Sequence, residues 1–481
     1  MADVNFRVEY LADRLDSATM PEDWLSFVPS RKRQHLLDRS FIFSPTHLVS
    51  YFRAINLGRM SRSYEEPNSV FERVRRFVSD GLMGHQHRRV LQEMLRRAMS
   101  KYLILNIGRK TAVRDAFDQL WQREERELLR PLKVHLGEDN GEEGFDLGGV
   151  QQEFFKLAMA EIFDPSYGAF SVDDRTRMAW FVPGSLVETW KFELIGLLFS
   201  LALYNGLTLP VTLPKALYRK LLDEPVEELH HIADGWPELG SGLTMLLEWD
   251  EKDGAVEDIF ARTYEFSVQA FDVPISRDMQ SPDKPWPRSA LLPGSGRAAA
   301  SDENPVDAPM VTNENRSAYV SDYIRYLTDV SVRPQYAAFE RGFRACLHPK
   351  ALEVLTPSVL QSLVEGTQEI DISELRRHAR YNGWDASHPT IRDFWSVVKR
   401  YDEPMKKRLL EFVTASDRVP VGGMQHVQFV IQRTGEEGKG GRLPTAYTCY
   451  GTLLLPEYED RQVLKERLGM ALGNAQGFGF A

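Results

Sequence analysis

The stretch RLPTAYTCYGTLLLPEY, residues 442–458, joins a proline-bracketed polar loop to a strongly apolar segment. Pro444 fixes the backbone at the entry to the polar residues 445–448, because its ring locks φ. The leucines at 453–455 indicate a buried strand. Cys449 therefore lies where an anchored loop meets the core, and we expect its thiol to be both fixed and reachable.

Such a thiol can act as a nucleophile. With an ordinary pKa, about 3% of it is thiolate at neutral pH, which suffices for exchange with a thioester delivered in line. The alternative is that Cys449 is a small buried hydrophobic residue, as free cysteines usually are, and the local sequence leaves both interpretations open. Cys346, within the amphipathic run FERGFRACL, is assigned to the core.

Composition limits the class of protein. The 481 residues are 43% hydrophobic and 27% charged, which predicts two to four folded domains. Two cysteines are too few for a disulfide framework, so we expect a reducing compartment, cytoplasmic or nuclear. We see no secretory signal at the N-terminus. Residues 194–214 carry no charge, but Asn205, Gly206 and Pro210 interrupt them, which favours an internal helix over a membrane span.

The charge is unevenly distributed along the chain. Residues 31–114 hold 18 Lys or Arg against 6 Asp or Glu. A basic block can bind nucleic acid or an acidic membrane. Here the arginines alternate with apolar residues and no nucleic-acid motif accompanies them, so a solvated helical face is the favoured interpretation.

The predicted secondary structure changes along the chain. Residues 1–101 are predicted to form a helical extension, and from Tyr102 the pattern is α+β: strand-like YLILNI, a helix over 115–129, strand-like LKVHL, then the loop GEDNGEEGFDLGG. Residues 277–310 contain six prolines and a polar run, which predicts a mobile surface insertion. Glu365-Gly366-Thr367 is a plausible short hinge.

The segment around Cys449 resembles the active-site signature of HECT ubiquitin ligases. Further segments resemble that family in the same order along the chain, so that the resemblance covers residues 102–481. They are FDLGGVQQEFFKLAMAEIFDPSYGAF, FELIGLLFSLALYNG, PVTLPKALYRKLL, VTNENRSAYV, QYAAFERGF, HPTIRDFWSVV, LLEFVTASDRVPVGG and the ending QGFGFA.

The resemblance implies a bilobal α+β fold, with an N-lobe over 102–365, a hinge at 366–368 around Gly366, and a C-lobe over 369–481. It also implies a two-step acyl transfer. Cys449 would accept ubiquitin from the thioester of a ubiquitin-conjugating enzyme and pass it to a lysine of a protein substrate, without a metal or nucleotide cofactor at this stage.

Further roles are carried over from the family. Thr448 would donate a hydrogen bond beside the thioester, Arg418 would pair with an acidic group or orient the ubiquitin tail, and Phe478 would dock between the lobes. The conjugating enzyme would bind residues 237–326. The candidate contacts there are apolar and aromatic, each equally plausible as local core: Leu239, Leu243, Phe260, Tyr319 and Tyr323.

The sequence departs from the family pattern near the cysteine. Tyr447 stands where many members have histidine, so a histidine base is not available at that position, and Gln152 replaces a common basic residue. Two alternatives remain: a catalytically inactive HECT-fold scaffold, and a cysteine hydrolase that would need a histidine such as His426. Zinc binding by His85 with His87, or by His230 with His231, lacks suitably spaced partners.

Overall fold

The structure is a computed structural model. It describes residues 7–8, 10, 14–17, 19–28, 33–78, 100–121, 123–137, 149–270, 273–280, 286, 308–367, 369–414, 416–420, 423–434, 442–448 and 451–474. The chain divides into two compact units. The first comprises Met1–Ala158, Leu201–Pro210 and Ser362–Ala481, and the second comprises Met159–Ser200 and Val211–Gln361.

The described part of the N-terminal region is helical. It contains α1 (Thr19–Ser26) and the long α2 (Pro45–Val78). Trp24 is buried, and its indole N–H donates to Asp38 Oδ1 at 2.8 Å, which ties α1 to the segment before α2. The arginines beyond residue 78 that belong to the predicted solvated face lie outside the described residues.

A parallel strand pair follows. β1 (Leu103–Ile107) and β2 (Leu132–Leu136) pair with Leu103 opposite Leu132, which confirms both predicted strands. The predicted single helix between them is instead two, α3 (Ala112–Leu120) and α4 (Glu125–Leu128). At the start of the second one, the backbone N–H of Glu124 donates to Glu127 Oε2 at 3.3 Å, and this cap begins a new helix where continuation was expected.

The described residues of the second unit are mostly helical and include two short β-hairpins. One helix, α6, covers most of the charge-free segment; it starts at Thr189, upstream of that segment. Among the described residues, no helix is both long and apolar enough to cross a membrane. Helix α5 begins in the first unit, and the last residues of α6 and α13 belong to the first unit by the bounds given above. The elements are α5 (Gly149–Ile162), β3 (Phe170–Val172), β4 (Ala179–Phe181), α6 (Thr189–Tyr204), α7 (Lys215–Leu221), α8 (Pro237–Glu248), α9 (Val256–Phe260), β5 (Glu265–Ala270), β6 (Val273–Asp278), α10 (Arg316–Arg325), α11 (Arg333–Arg344), α12 (Pro349–Glu353) and α13 (Pro357–Glu365).

Within the second unit, residues between Ile232 and Val330 form a separate hydrophobic cluster around Phe266, which we call the 232–330 core. Cys346 lies elsewhere in this unit and is fully buried, with its backbone N–H donating to Ser200 Oγ at 3.0 Å. Its assignment to the core is confirmed.

The C-terminal region is built on a four-stranded sheet in the order β7-β8-β10-β9. β7 (Arg380–Asn382), β8 (Val430–Arg433) and β10 (Thr452–Leu455) run parallel, and β9 (Thr445–Tyr447) is antiparallel to β10. Every residue of β10 is buried, as the leucine run predicts. The described residues of this region also form the helices α14 (Ile372–His378), α15 (Pro389–Val398), α16 (Glu403–Thr414) and α17 (Arg461–Asn474).

These helices and the sheet bury one hydrophobic core between Ile370 and Leu472. The apolar face of α17 is buried in it and consists of Leu464, Leu468, Ala471 and Leu472. The helix includes Gly473 and ends at Asn474. With helices packed beside small sheets in the described residues, the predicted α+β class is confirmed.

Candidate functional site

Two paired strands lie on either side of Cys449. In the β9–β10 hairpin, Tyr447 pairs with Thr452 and Ala446 with Leu453. Ala446 faces the core while Thr445 and Tyr447 are exposed, the alternation expected of a strand with one solvated face. The hairpin therefore brings the chain to Cys449 from a strand that is partly anchored in the core.

The residues next to Cys449 are held by backbone contacts. Cys449 and Tyr450 lie outside the described residues, but the Gly451 N–H donates to the Thr448 oxygen at 3.2 Å. The Gly451 oxygen accepts from the Val430 N–H at 2.8 Å, on the neighbouring strand. Thr448 is partly buried, and its role beside a thioester stays a prediction.

Gly451 occupies a position that only glycine fits well. Its φ is +52°, in the left-handed region, and a Cβ built there would lie 2.1 Å from the Gln428 oxygen. Real Cβ atoms do not approach an oxygen so closely, so a side chain would push the turn away from Gln428, just before β8. The sequence shows this glycine but not the oxygen that it faces.

Arg418 lies in the loop before β8. Its side chain is only 9% exposed, with Nε 3.4 Å from Asp417 Oδ1, so it pairs with an acidic group instead of being solvated. The backbone N–H donates to Ser416 Oγ at 3.2 Å and fixes the loop. An effect on the ubiquitin tail stays a prediction. Phe478 lies outside the described residues.

Gly366 ends helix α13. Its N–H donates to the Ser362 oxygen at 2.9 Å and its φ is +68°, the left-handed conformation common after a helix C-terminus. The next residue, Thr367, exchanges two backbone hydrogen bonds with Val419, at 2.8 and 2.9 Å. Residues 366 and 367 are thus held by backbone hydrogen bonds, to Ser362 and to Val419 respectively. Hinge motion at Gly366 stays a prediction.

An ion pair that the sequence analysis did not find connects α5 with α16. Lys156 and Glu411 form a close pair, with side chains 50% and 33% exposed. A cavity of about 100 Å³ lies beside them, lined also by Gln152, Pro210, Ser416 and Asp417. Gln152 is buried and donates to the Thr208 oxygen at 2.8 Å, so an amide serves where the family commonly has a cation. Charges 255 residues apart give no sequence signal.

We expect the Lys156–Glu411 pair to contribute little to stability, because exposed ion pairs are worth about 0–1 kcal/mol. Lys156→Glu should lower the free energy of unfolding by about 1 kcal/mol or less, through repulsion from Glu411. Adding Glu411→Lys should restore it. Urea unfolding of the two single variants and the double variant measures this, and a double variant no better than either single variant would contradict a direct pair.

The predicted docking residues lie in or on the 232–330 core. Leu243 and Tyr319 are buried within it, whereas Leu239, Phe260 and Tyr323 are partly buried and pack against it. Burial raises the pKa of Tyr323 to about 12, so this phenol is neutral at physiological pH. Their proposed contacts with a conjugating enzyme stay predictions.

Two exposed apolar side chains near these residues were missed. Met245 on α8 is 60% exposed, and Ile259 on α9 is 51% exposed. The docking candidates were chosen from the family resemblance as apolar and aromatic residues, and the sequence could not tell which apolar side chains of this region face the core. Both exposed side chains are now candidates for the docking surface.

Glu228, His230 and His231 lie close enough together to hold a metal ion. However, Nδ1 of His231 accepts hydrogen bonds from the backbone N–H groups of Glu227 and Glu228, at 3.3 and 3.2 Å. Its proton is therefore on Nε2, which leaves no nitrogen lone pair for a metal. Burial lowers the pKa of His231 and keeps this neutral form. The arrangement favours a helix cap over a metal site. His85 and His87 lie outside the described residues.

Comparison with known proteins agrees with this picture. The profile of the HECT family, described as "HECT-domain (ubiquitin-transferase)", matches residues 156–481. The chain is 35% identical over 389 residues to "Probable E3 ubiquitin-protein ligase HERC3" of Homo sapiens, covering 80% of this chain and 34% of that protein.

Two further relatives match a similar share of the chain. "Probable E3 ubiquitin-protein ligase HECTD2" of Mus musculus is 34% identical over 79% of this chain and 46% of its own length. "Probable E3 ubiquitin-protein ligase HUL4" of Eremothecium gossypii is 29% identical, over 79% of this chain and 43% of its own length. The chain thus spans less than half the length of these relatives. By the family profile and by these matches, this chain belongs to the HECT-domain (ubiquitin-transferase) family.

Proposed function

We propose that this protein is a HECT-type ubiquitin ligase that carries ubiquitin as a thioester on Cys449 before transferring it to a lysine. The observation that carries the proposal is the β9–β10 hairpin, which is fixed on both sides of position 449 by strand pairing and by the backbone contacts of Gly451. Family membership supports it. The proposed partners are a ubiquitin-conjugating enzyme, ubiquitin and a protein substrate.

The proposed reaction exchanges one acyl bond for another in each step. The Cys449 thiolate attacks the carbonyl carbon of the conjugating enzyme's thioester, a new C–S bond forms, and the other cysteine leaves as a thiolate. A lysine amine then attacks the new thioester, loses a proton, and forms the isopeptide as the Cys449 thiolate leaves. No oxidant or reductant is needed to balance either step.

The second step needs a proton acceptor for the lysine. Tyr447, at the position two before Cys449, is exposed and has no imidazole nitrogen that could accept the proton. The proposal therefore assigns Tyr447 no base role, and lysine deprotonation falls to solvent or to another group. Thr448, Arg418 and Phe478 keep the supporting roles that the family resemblance implies for them.

An assay that follows two products separates the proposal from its alternatives. The protein is incubated with activating enzyme, conjugating enzymes, ATP and ubiquitin, and both lysine conjugates and free ubiquitin released from a preformed conjugate are measured. A ligase builds lysine conjugates in an ATP-dependent way. Release of free ubiquitin without ATP would instead favour the hydrolase, and neither activity would favour the inactive scaffold.

We further propose that the conjugating enzyme contacts the surface around Met245 and Ile259. Replacing Met245 by Asp places a charge where apolar contacts would form, so we expect the half-saturating concentration of charged conjugating enzyme to rise by about tenfold or more. Single-turnover loading at several concentrations measures it. Met470→Asp is a matched control, because Met470 on α17 is 51% exposed and far along the chain. Equal effects of both variants would contradict this surface.

A further inference from the structure

Trp286 is buried within the stretch that the sequence analysis predicted to be a mobile insertion. Its side chain is 6% exposed and belongs to the 232–330 core, where its ring packs edge-on against Phe266 with centroids 5.7 Å apart. Met279, near the start of the same stretch, is buried in that core as well. The sequence showed no sign of this burial, because the prediction of a mobile insertion was based on the average composition of residues 277–310 and not on individual side chains.

Trp286 also lies next to residues of the second unit that do not belong to the 232–330 core. Trp286 lines a cavity of about 40 Å³ together with residues 184–189, which lead into α6, and with the start of α11. The other lining residues are Gly184, Ser185, Val187, Thr189, Pro334 and Gln335. The indole thus lies between the 232–330 core on one side and residues 184–189 with the start of α11 on the other.

Two buried polar atoms on the cavity residues complement each other. Gln335 is 7% exposed, and its amide nitrogen donates to the Val182 oxygen at 3.1 Å, which fixes its amide orientation. Among the described residues, neither the remaining Gln335 Oε1 nor Trp286 Nε1 has a hydrogen-bond partner. One is an acceptor and the other a donor. The cavity has room for one water molecule that could bond to both.

The π-helix Tyr326–Val330 leads from the 232–330 core to α11. Two of its backbone oxygens accept hydrogen bonds from side chains outside that core. The Leu327 oxygen accepts from Trp180 Nε1 at 3.2 Å, and the Thr328 oxygen accepts from Lys220 Nζ at 2.7 Å. π-Helical turns leave the regular hydrogen-bond ladder, and here side chains from outside the 232–330 core stabilise the turn.

We propose that Trp286 is a positioning residue that holds the 232–330 core against residues 184–189 and the start of α11. We call this contact the pin. One buried water molecule within it joins Trp286 Nε1 to Gln335 Oε1. Helices α8 and α9 contribute Leu243 and Val256 to this core and expose Met245 and Ile259, so the pin would set how firmly that apolar surface is held. Its effect on ubiquitin loading rests on the proposed function, whereas the pin itself does not.

Hydrogen exchange on the full chain tests the pin without any activity. Truncating a buried tryptophan destabilises the folded state enough to raise the equilibrium constant for local opening by more than tenfold. Trp286→Ala should therefore speed amide exchange in β5 and β6 by about tenfold or more. Trp286→Phe keeps the ring but removes the N–H, and we expect a smaller acceleration, about threefold. The control is Trp190→Ala, whose tryptophan is exposed at the start of α6. Wild-type exchange in Trp286→Ala would overturn the pin, and wild-type exchange in Trp286→Phe would overturn the water bridge.

Ubiquitin loading then tests the functional consequence. We expect Trp286→Ala to raise the half-saturating concentration of charged conjugating enzyme about threefold or more, while release of ubiquitin from preloaded protein to free lysine stays unchanged. Faster exchange with wild-type half-saturation would overturn the link to docking. If wild-type protein loads no ubiquitin, the proposed function fails, but the exchange result still decides the pin.

Discussion

Cys449→Ala should abolish ubiquitin transfer. Without the thiol no thioester intermediate can form, and direct attack of lysine on the conjugating enzyme would have to replace a two-step route, so we expect conjugate formation to fall by about a thousandfold or more. The rate of lysine conjugates in a multiple-turnover assay measures the loss. The matched control is Cys346→Ala, since Cys346 is the other cysteine of the chain and is buried in the second unit.

The control variant should keep its activity at a temperature where it remains folded. Removing one buried sulfur costs some stability through the cavity left behind, so circular dichroism should verify folding before the rates are compared. Equal loss in both cysteine variants would point to a folding defect. Full activity of Cys449→Ala would contradict the covalent mechanism.

The second large effect is expected at Gly451. In Gly451→Ala the new methyl group would lie 2.1 Å from the Gln428 oxygen, at a backbone φ of +52°. The turn must therefore shift, and a displacement of about 1 Å at a reacting group can cost about a hundredfold in rate. We expect single-turnover thioester formation on Cys449 to slow by about that factor.

Gly469→Ala provides the matched control for this substitution. Gly469 lies inside α17, and a Cβ there would meet no atom within 4 Å. Alanine is a better helix former than glycine by about 1 kcal/mol, so this variant should be as active as wild type and slightly more stable. Thioester formation at the wild-type rate in Gly451→Ala would show that the backbone contact does not position Cys449.

Much of the fold near the site could be predicted from local sequence. The three leucines of β10 and the apolar face of α17 are strong periodic signals, and both are buried in the structure. Strands β1 and β2 were recognisable for the same reason. Local patterns fail where a new start signal interrupts them, as Glu124 does between α3 and α4.

The parts of the site that depend on distant residues could not be predicted. Gly451 faces the Gln428 oxygen, 23 residues upstream and just before β8, and Lys156 contacts Glu411, 255 residues further along the chain. Periodicity also could not distinguish buried Leu243 from exposed Met245, because both lie on the same short helix. Trp286 was hidden by its proline-rich neighbours. In each case the missing information was a tertiary contact, which a single sequence does not contain.

The most direct test of the central claim is to capture ubiquitin on Cys449 itself. Wild-type protein is mixed with charged conjugating enzyme, quenched within seconds, and compared on non-reducing and reducing gels, with mass spectrometry of the tryptic peptide that spans residues 443–461. We predict an adduct one ubiquitin heavier that disappears on reduction and maps to Cys449. An adduct that survives reduction, or one that maps to another residue, would contradict the thioester mechanism.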